Sequence, residues 1–279
     1  DAGLGVLLQR LEDIGELDNT LVVVSGDHGI PGFPRAKCNL YDIGCEVTLA
    51  VRWPGNIQAG RTLDDFVNLM DLAPTFLDAC EVAVPDSMTA NSLLPLLTSK
   101  RDGQVEADRT FVVTGRERHV HCAREGHLPY PQRAIRTKEY LYVYNFEPDR
   151  WPAGDPQGLD DATAAAPSFD ALETDTMVCY PDLDASPTKA WMIHHRAETD
   201  VQRAFDLGFG KRPLEELYDL RQDPHYMRNV AGKAEYAGVQ AQLKNQLFDL
   251  LRQQDDPRVV EQPCRFETPP YSGPIDGSI

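Results

Sequence analysis

The chain lacks the long apolar stretches of membrane-spanning proteins and the excess of basic residues of nucleic-acid-binding proteins. No run approaches the roughly 18 to 20 uninterrupted apolar residues that a membrane-spanning helix needs. The 27 Lys and Arg residues against 44 Asp and Glu residues give a formal net charge of −17, which repels nucleic acid and anionic membranes. We therefore expect neither a membrane span nor a nucleic-acid partner.

Cysteine is also scarce, and its spacing excludes the common zinc and redox motifs. None of the six cysteines belongs to a C-x-x-C pair. Cys38 and Cys45 flank a short loop, which makes them the first pair to test for a disulfide. The sequence alone does not determine the pairing.

The residues that are present indicate a folded protein with an α/β pattern in its first third. Hydrophobic residues make up 42% of the chain and charged residues 25%, as in ordinary globular proteins. Apolar residues recur with a helical period over residues 4–14, and residues 21–24 form an apolar run typical of a strand buried in a parallel sheet. A second strand is predicted at residues 47–53, and Asp71 is expected to cap a helix. Residues 1–105 are therefore predicted to form one α/β domain.

After about residue 105 the pattern changes to short strands followed by one long helix. The strands are predicted at residues 110–114, 134–137, 140–144 and 216–220. An amphipathic helix is predicted at about residues 235–253. Residues 151–188 show no period and are predicted to form a long surface excursion. Residues 106–279 are therefore expected to form a smaller α+β subdomain.

Polar side chains follow the first predicted strand, at the edge where open α/β sheets bind ligands. Asp27 and His28 come directly after the apolar run. A carboxylate beside an imidazole suits a hard or borderline cation, although the same dipeptide also occurs in ordinary turns. Lys37 lies nine residues after His28. Further along, residues 115–138 are rich in Arg and His and form either an exposed basic face or an anion-binding pocket.

Several motifs in series resemble those of the sulfatase family, within the alkaline-phosphatase-like superfamily. The strand end Asp27-His28-Gly29, a basic residue at Lys37, a Tyr at Tyr41 and a strand closing on Pro54-Gly55 follow one another in the family's order. The stretch from Asp27 to Tyr41 is most similar to that of the heparan N-sulfatase, or sulfamidase, group. In that group Asn stands at the position of His28 and Arg at the position of Lys37. These departures put the exact substrate in doubt.

Two later motifs extend the resemblance over nearly the whole chain. Asp71-Leu72-Ala73-Pro74-Thr75 matches the family's next helix, and Glu216-Leu217-Tyr218-Asp219-Leu220 matches its C-terminal signature. The resemblance implies the C-terminal part of an alkaline-phosphatase-like parallel-sheet α/β domain, followed by a smaller antiparallel-sheet plus helix subdomain. It also implies metal-dependent hydrolysis of sulfate esters or sulfamates on a sulfated saccharide, such as a glycosaminoglycan fragment.

The resemblance also implies roles for individual residues. Asp27 and His28 are expected to hold one divalent metal ion, usually Ca²⁺, and His28 and Lys37 are expected to be catalytic. Lys37 would provide a fixed positive charge where negative charge develops on the transferred group. The substrate-binding residues would come from the basic segment: Arg116, Arg118 and His119.

The family nucleophile, a formylglycine made from Cys or Ser in a Cys/Ser-x-Pro/Ala-x-Arg motif, has no match in the chain. Cys179-Tyr180-Pro181-Asp182 comes near, but Leu183 occupies the Arg position. We therefore expect the formylglycine in a missing N-terminal segment of the same protein. The resemblance implies a periplasmic, secreted or lysosomal-type compartment. Two other hypotheses stay open: a phosphodiesterase or phosphonate monoester hydrolase of the same superfamily, and a non-catalytic sulfatase-fold binding protein.

Overall fold

The computed structural model describes residues 1–161 and 163–268, which fold into two compact units. The first unit contains Asp1–Asp27 and Val47–Val112, and the second contains His28–Glu46 together with the chain from Val113 onward. The segment 28–46, here called the Lys37 loop, therefore packs with residues far along the chain. The division into domains at 1–105 and 106–279 stays a prediction.

The first unit begins with a helix and a two-stranded sheet. Helix α1 (Ala2–Asp13) precedes strand β1 (Val22–Ser25), and β1 pairs antiparallel with β2 (Leu49–Arg52). The predicted strand is confirmed. Among the described residues it pairs with β2 alone, and its place inside a parallel sheet stays a prediction. Val24 is 37% exposed and lies opposite Ala50 of β2. An apolar run indicates a strand but does not identify the strand beside it.

The predicted helix at Asp71 is confirmed, with a different use of the Asp71 side chain. A short 3₁₀ turn (Leu69–Asp71) leads into α3 (Leu72–Ala79), and α4 (Leu94–Thr98) follows. The Asp71 carboxylate does not cap α3. It accepts a hydrogen bond from the Asn68 backbone N–H, and this completes a capping box one turn earlier.

The second unit contains the predicted antiparallel sheet. Its strands lie in the order β3 (Phe111–Arg116), β4 (Gln132–Thr137), β5 (Tyr140–Asn145) and β6 (Glu215–Asp219). β4 and β5 are joined by a tight turn and pair antiparallel, and β5 also pairs antiparallel with β6. Two short helices, α2 (Asp42–Cys45) in the Lys37 loop and α9 (Pro257–Val260), also belong to this unit.

The long amphipathic helix, α8 (Ala237–Gln253), is confirmed. It lies against β4 and β5. Leu243, Leu247 and Leu251 are buried on the stripe that faces the sheet. The spacing of these leucines is the helical period from which the element was predicted.

The predicted surface excursion at residues 151–188 is wrong. This segment contains α5 (Phe169–Thr174) and the start of α6 (Pro187–His194), and α7 (Thr199–Phe209) follows. Its apolar residues join one buried cluster: Leu159, Leu172, Cys179, Tyr180, Leu183, Ala190, Ile193 and Phe209. Several of them lie in turns, where burial follows no fixed period, so the sequence pattern did not indicate a core.

All six cysteines lie within the described residues, and all are free thiols. The Cys38 Sγ donates to the carbonyl oxygen of Asp182, and the Cys45 Sγ donates to that of Asn39. A disulfide between Cys38 and Cys45 is therefore absent from this structure. No helix in ranges 1–161 and 163–268 is long and apolar enough to cross a membrane.

Candidate functional site

Two glycines allow the Lys37 loop to fold tightly on itself. A Cβ atom at Gly29 would lie 1.9 Å from the carbonyl oxygen of Ile43, and one at Gly44 would lie 2.4 Å from the carbonyl oxygens of Ala36 and Asn39. The Gly29 N–H instead donates to the Gly44 carbonyl at 3.0 Å. Any side chain at these positions would push the two ends of the loop apart.

The Lys37 side chain is held by an acidic residue from a distant part of the chain. Its Nζ donates to Asp184 Oδ2 at 3.0 Å, and about a quarter of each side chain is exposed (25% and 26%). The next residue, Cys38, has a positive φ of 65° and donates its thiol hydrogen to the Asp182 carbonyl. The loop therefore presents Lys37 beside the segment that carries Asp182 and Asp184.

Asp182 is a buried carboxylate that joins two arginines. Its Oδ2 accepts hydrogen bonds from Nη2 of Arg116 and of Arg124, both at 2.6 Å, and its Oδ1 accepts from the Val120 backbone N–H at 2.9 Å. Burial alone would raise the pKa of Asp182, but the Arg116 guanidinium, His119 and Arg124 together lower it. Asp182 is therefore ionised, and its charge is shared among cationic neighbours.

His119 is the most solvent-accessible cationic neighbour of Asp182. Its Nδ1 lies 3.6 Å from Asp182 Oδ1, the distance of an ion pair rather than a hydrogen bond, and 25% of its side chain is exposed. The Asp182 carboxylate, with a further contribution from Cys38 and against the effect of burial, raises the pKa of His119 to about 9. His119 is therefore an imidazolium at neutral pH, with an edge open to solvent.

The remaining predicted substrate-binding residues do not form one exposed wall with His119. Arg116 is buried and holds Asp182. Arg118 donates from Nε to the His127 carbonyl at 3.0 Å and from Nη2 to the Phe266 carbonyl at 3.1 Å. Both contacts position the segment around His119. Direct contact of Arg116 or Arg118 with substrate stays a prediction.

Asp27 and His28 are exposed and adjacent in the sequence; Asp27 belongs to the first unit and His28 begins the Lys37 loop. The His28 Nδ1 lies 2.8 Å from the Gly29 carbonyl oxygen. No group of three or more His, Cys, Asp or Glu side chains suited to a metal occurs in the part of the chain that the structure describes. Calcium takes about six to eight oxygen ligands. The described residues alone therefore do not complete a calcium site, and ligation by Asp27 and His28 stays a prediction.

Asp182, Asp184 and Arg124 are site residues that the sequence analysis missed. The Lys37–Asp184 contact joins residues 147 positions apart, and no local pattern indicates a contact of that span. The nearby Cys179 was considered only as an incomplete nucleophile motif. It is 2% exposed and belongs to the apolar cluster, so it is a core residue.

Comparison with known proteins shows which family this chain is similar to. The C-terminal family model of N-sulphoglucosamine sulphohydrolase matches residues 27–161. The N-sulphoglucosamine sulphohydrolase of Homo sapiens is 29% identical over 93% of this chain and 47% of its own length. An ulvan-active sulfatase of Formosa agariphila is 28% identical over 88% of this chain and 40% of its own length. The expected resemblance to the sulfatase family is therefore confirmed.

The fold of this chain is similar to that of a solved structure with a bound sulfated sugar. A structure in complex with its substrate D-glucosamine-2-N,6-O-disulfate superposes with a TM-score of 0.58 at 24% identity, over 92% of this chain and 39% of the other. The expected fold class is thus confirmed. The chain spans less than half the length of each of these relatives.

Proposed function

We propose that the protein is a metal-dependent sulfatase that hydrolyses sulfate esters or sulfamates on a sulfated saccharide, such as a glycosaminoglycan fragment. The observation that carries the proposal is the convergence of two cations, Lys37 and His119, on the segment from Asp182 to Asp184. Two basic groups held in place beside partly exposed space suit a sulfated ligand. The names of the human relative and of the bound substrate in the solved structure support a sulfated glucosamine.

Each of the site residues described above has a distinct role in this proposal. Lys37 supplies a fixed positive charge where negative charge develops on the sulfuryl group. Asp184 restricts the Lys37 side chain before substrate binds. His119 donates an N–H to the anionic substrate, and the buried Asp182 keeps the imidazole protonated. Arg116 and Arg124 hold the Asp182 carboxylate in place.

The proposed enzyme needs components beyond those described. Asp27 and His28 are proposed as two ligands of a calcium ion, with further ligands and the formylglycine nucleophile in an N-terminal segment of the same protein. The share of the relatives that the chain covers supports a longer protein. A periplasmic, secreted or lysosomal-type compartment is proposed with it.

The proposal is tested by comparing substrates with the full-length protein. Sulfate release would be measured by ion chromatography from N-sulfated and O-sulfated glucosamine oligosaccharides and from an aryl sulfate whose only charge is its sulfate group. Phosphate and phosphonate esters of the same aryl alcohol would be assayed in parallel. We expect the largest kcat/KM on a sulfated oligosaccharide, because the two cations His119 and Lys37 favour a substrate with more than one anionic group.

The other outcomes separate the competing hypotheses. A preference for the aryl sulfate would remove the saccharide assignment. Faster turnover of the phosphate or phosphonate ester would replace the sulfatase with a phosphodiesterase or phosphonate monoester hydrolase. Saturable oligosaccharide binding without turnover of any substrate would indicate a non-catalytic binding protein.

A further inference from the structure

A second group of cations, of which Arg212 is buried, lies in the second unit around a cavity of about 140 Å³ beside β6. Three basic residues line it: Arg35, Lys211 and Arg212. None of them takes part in the contacts around Asp182. This space is here called the Arg212 cavity.

The two guanidinium groups of the Arg212 cavity have few partners. Arg212 is 7% exposed and donates from Nη2 to Asn39 Oδ1 at 3.0 Å. Its Nε and Nη1 are buried and have no hydrogen-bond partner among the described residues. Arg35 donates to the Tyr226 carbonyl at 2.6 Å and to the Tyr218 hydroxyl at 3.1 Å, and its Nε is likewise buried without a partner in residues 1–161 and 163–268.

The carboxylate of Glu216, which also lines the cavity, already accepts hydrogen bonds from uncharged donors. Glu216 Oε2 accepts hydrogen bonds from the hydroxyls of Tyr41 at 2.7 Å and Tyr218 at 2.6 Å, and Oε1 accepts from Asn145 Nδ2 at 2.9 Å. Glu216 therefore forms no direct ion pair with Arg35 or Arg212 in the described structure. It compensates their charge only from a distance.

The two cations also lie close to one aromatic ring. The Arg35 guanidinium carbon is 3.8 Å from the centre of the Tyr41 ring, and that of Arg212 is 5.0 Å from the same centre. Each guanidinium is attracted to the ring, but the two positive charges repel each other across it. A group that accepted hydrogen bonds from both would relieve this repulsion.

The charge balance of the lining also favours an anion. Arg35, Lys211 and Arg212 contribute three positive charges, and Asp206 and Glu216 contribute two negative charges, so the lining has a net charge of +1. A buried charge without a counterion is costly, and the remaining N–H groups need acceptors. One small anion satisfies both requirements.

We propose that the Arg212 cavity is a binding site for a small inorganic anion, which accepts hydrogen bonds from Arg35 and Arg212, with Lys211 contributing from the exposed side. Chloride and tetrahedral oxyanions such as sulfate share this chemistry. The proposal does not depend on the sulfatase assignment, because it rests on residues other than Lys37 and His119.

The test is calorimetry on the full-length Lys37→Ala variant, in which anion binding at the proposed catalytic position is weakened. Protein dialysed into sodium gluconate is titrated with chloride, sulfate or phosphate at constant ionic strength. We expect one saturable site per chain for at least one anion. Chloride binding alone identifies a halide site, whereas sulfate or phosphate binding identifies an oxyanion site.

Two further variants assign the binding to the cavity. Adding Lys211→Ala should raise the dissociation constant about tenfold, the scale of losing one charged contact. Adding Lys100→Ala, an exposed lysine in the first unit, removes the same charge and should leave the dissociation constant unchanged. Leu207→Phe, which fills the cavity without changing its charge, should abolish binding.

The proposal is overturned if no anion gives a saturable isotherm. It is equally overturned if Lys211→Ala and Lys100→Ala weaken binding alike, since the anion would then respond only to overall charge. Retention of full affinity by a folded Leu207→Phe variant would place the anion elsewhere.

Discussion

Replacement of Asp182 by Asn is the sharpest test of the arrangement around His119. The substitution removes a negative charge but keeps the shape of the side chain, and it leaves Arg116 and Arg124 buried with their charges uncompensated. Their side chains are only 4% and 3% exposed, and that of Asp182 is 0% exposed. Breaking a buried ion pair by removing one partner costs about 3 to 5 kcal/mol, and we expect Asp182→Asn to destabilise the protein by that amount.

The matched control is Asp184→Asn, two residues further along. Asp184 makes one ion pair with Lys37, and both side chains are about a quarter exposed. Pairs of this kind contribute about 0 to 1 kcal/mol, so the same chemical change should have little effect on stability. The comparison isolates burial and the number of charged partners as the cause.

The assay is urea unfolding of the full-length protein followed by tryptophan fluorescence. With an m-value of about 3 kcal/mol/M, the expected loss moves the midpoint to lower urea by about 1 M or more in Asp182→Asn. Asp184→Asn should move it by about 0.3 M or less. Equal shifts in the two variants would show that Asp182 does not neutralise the two arginines.

A second readout of Asp182→Asn follows the pKa of His119. The Asp182 carboxylate is the main cause of the raised pKa, which is about 9 in the native protein. In the variant the pKa should fall toward the ordinary histidine value of about 6.5. Histidine ring resonances recorded by NMR against pH measure this directly, and an unchanged pKa would assign the effect to another neighbour.

The remaining predictions concern catalysis and the behaviour of the chain when it is expressed alone. Lys37→Ala should lower kcat by about a hundredfold or more, because one fixed charge in the transition state is lost, whereas an effect on KM alone would assign Lys37 to binding. Asp27→Asn should weaken calcium binding and turnover together, and an unchanged calorimetric affinity would rule out Asp27 as a ligand. Substrate affinity should fall as pH rises through about 9, because His119 loses its proton there, and His119→Gln should remove that pH dependence. Residues 1–279 expressed alone should be poorly soluble and inactive until the preceding segment is supplied, and multiple-turnover sulfate release by the purified chain would contradict this.

The sequence predicted the elements whose signal is local. Helix α1, helix α8 and the hairpin of β4 and β5 each carry their periodicity or turn chemistry within a short stretch. The family resemblance was equally accessible, because its motifs keep their order along the chain. Lys37 could therefore be singled out before its surroundings were known.

The sequence could not indicate features that depend on distant partners. Nothing near Asp182 shows that its carboxylate meets Arg116 and Arg124, 66 and 58 residues away. The basic segment was predicted to be either an exposed basic face or an anion-binding pocket, and the sequence did not show that burial separates Arg116 from the more accessible His119. The apolar cluster at residues 151–188 was missed for the same reason, since its members meet through turns rather than along one periodic face.

The discontinuous second unit has a consequence for how the protein folds as it is made. Tyr41 and Arg35 of the Lys37 loop find their partners Glu216 and Tyr226 only 175 and 191 residues later in the chain. At roughly 5 to 20 residues per second, these partners leave the ribosome about 10 to 40 s after the loop does. During that interval Tyr41, which is 2% exposed in the folded protein, lacks part of its packing, because its apolar cluster includes Tyr218 and Tyr226. The nascent chain is therefore expected to depend on chaperones until β6 has been synthesised.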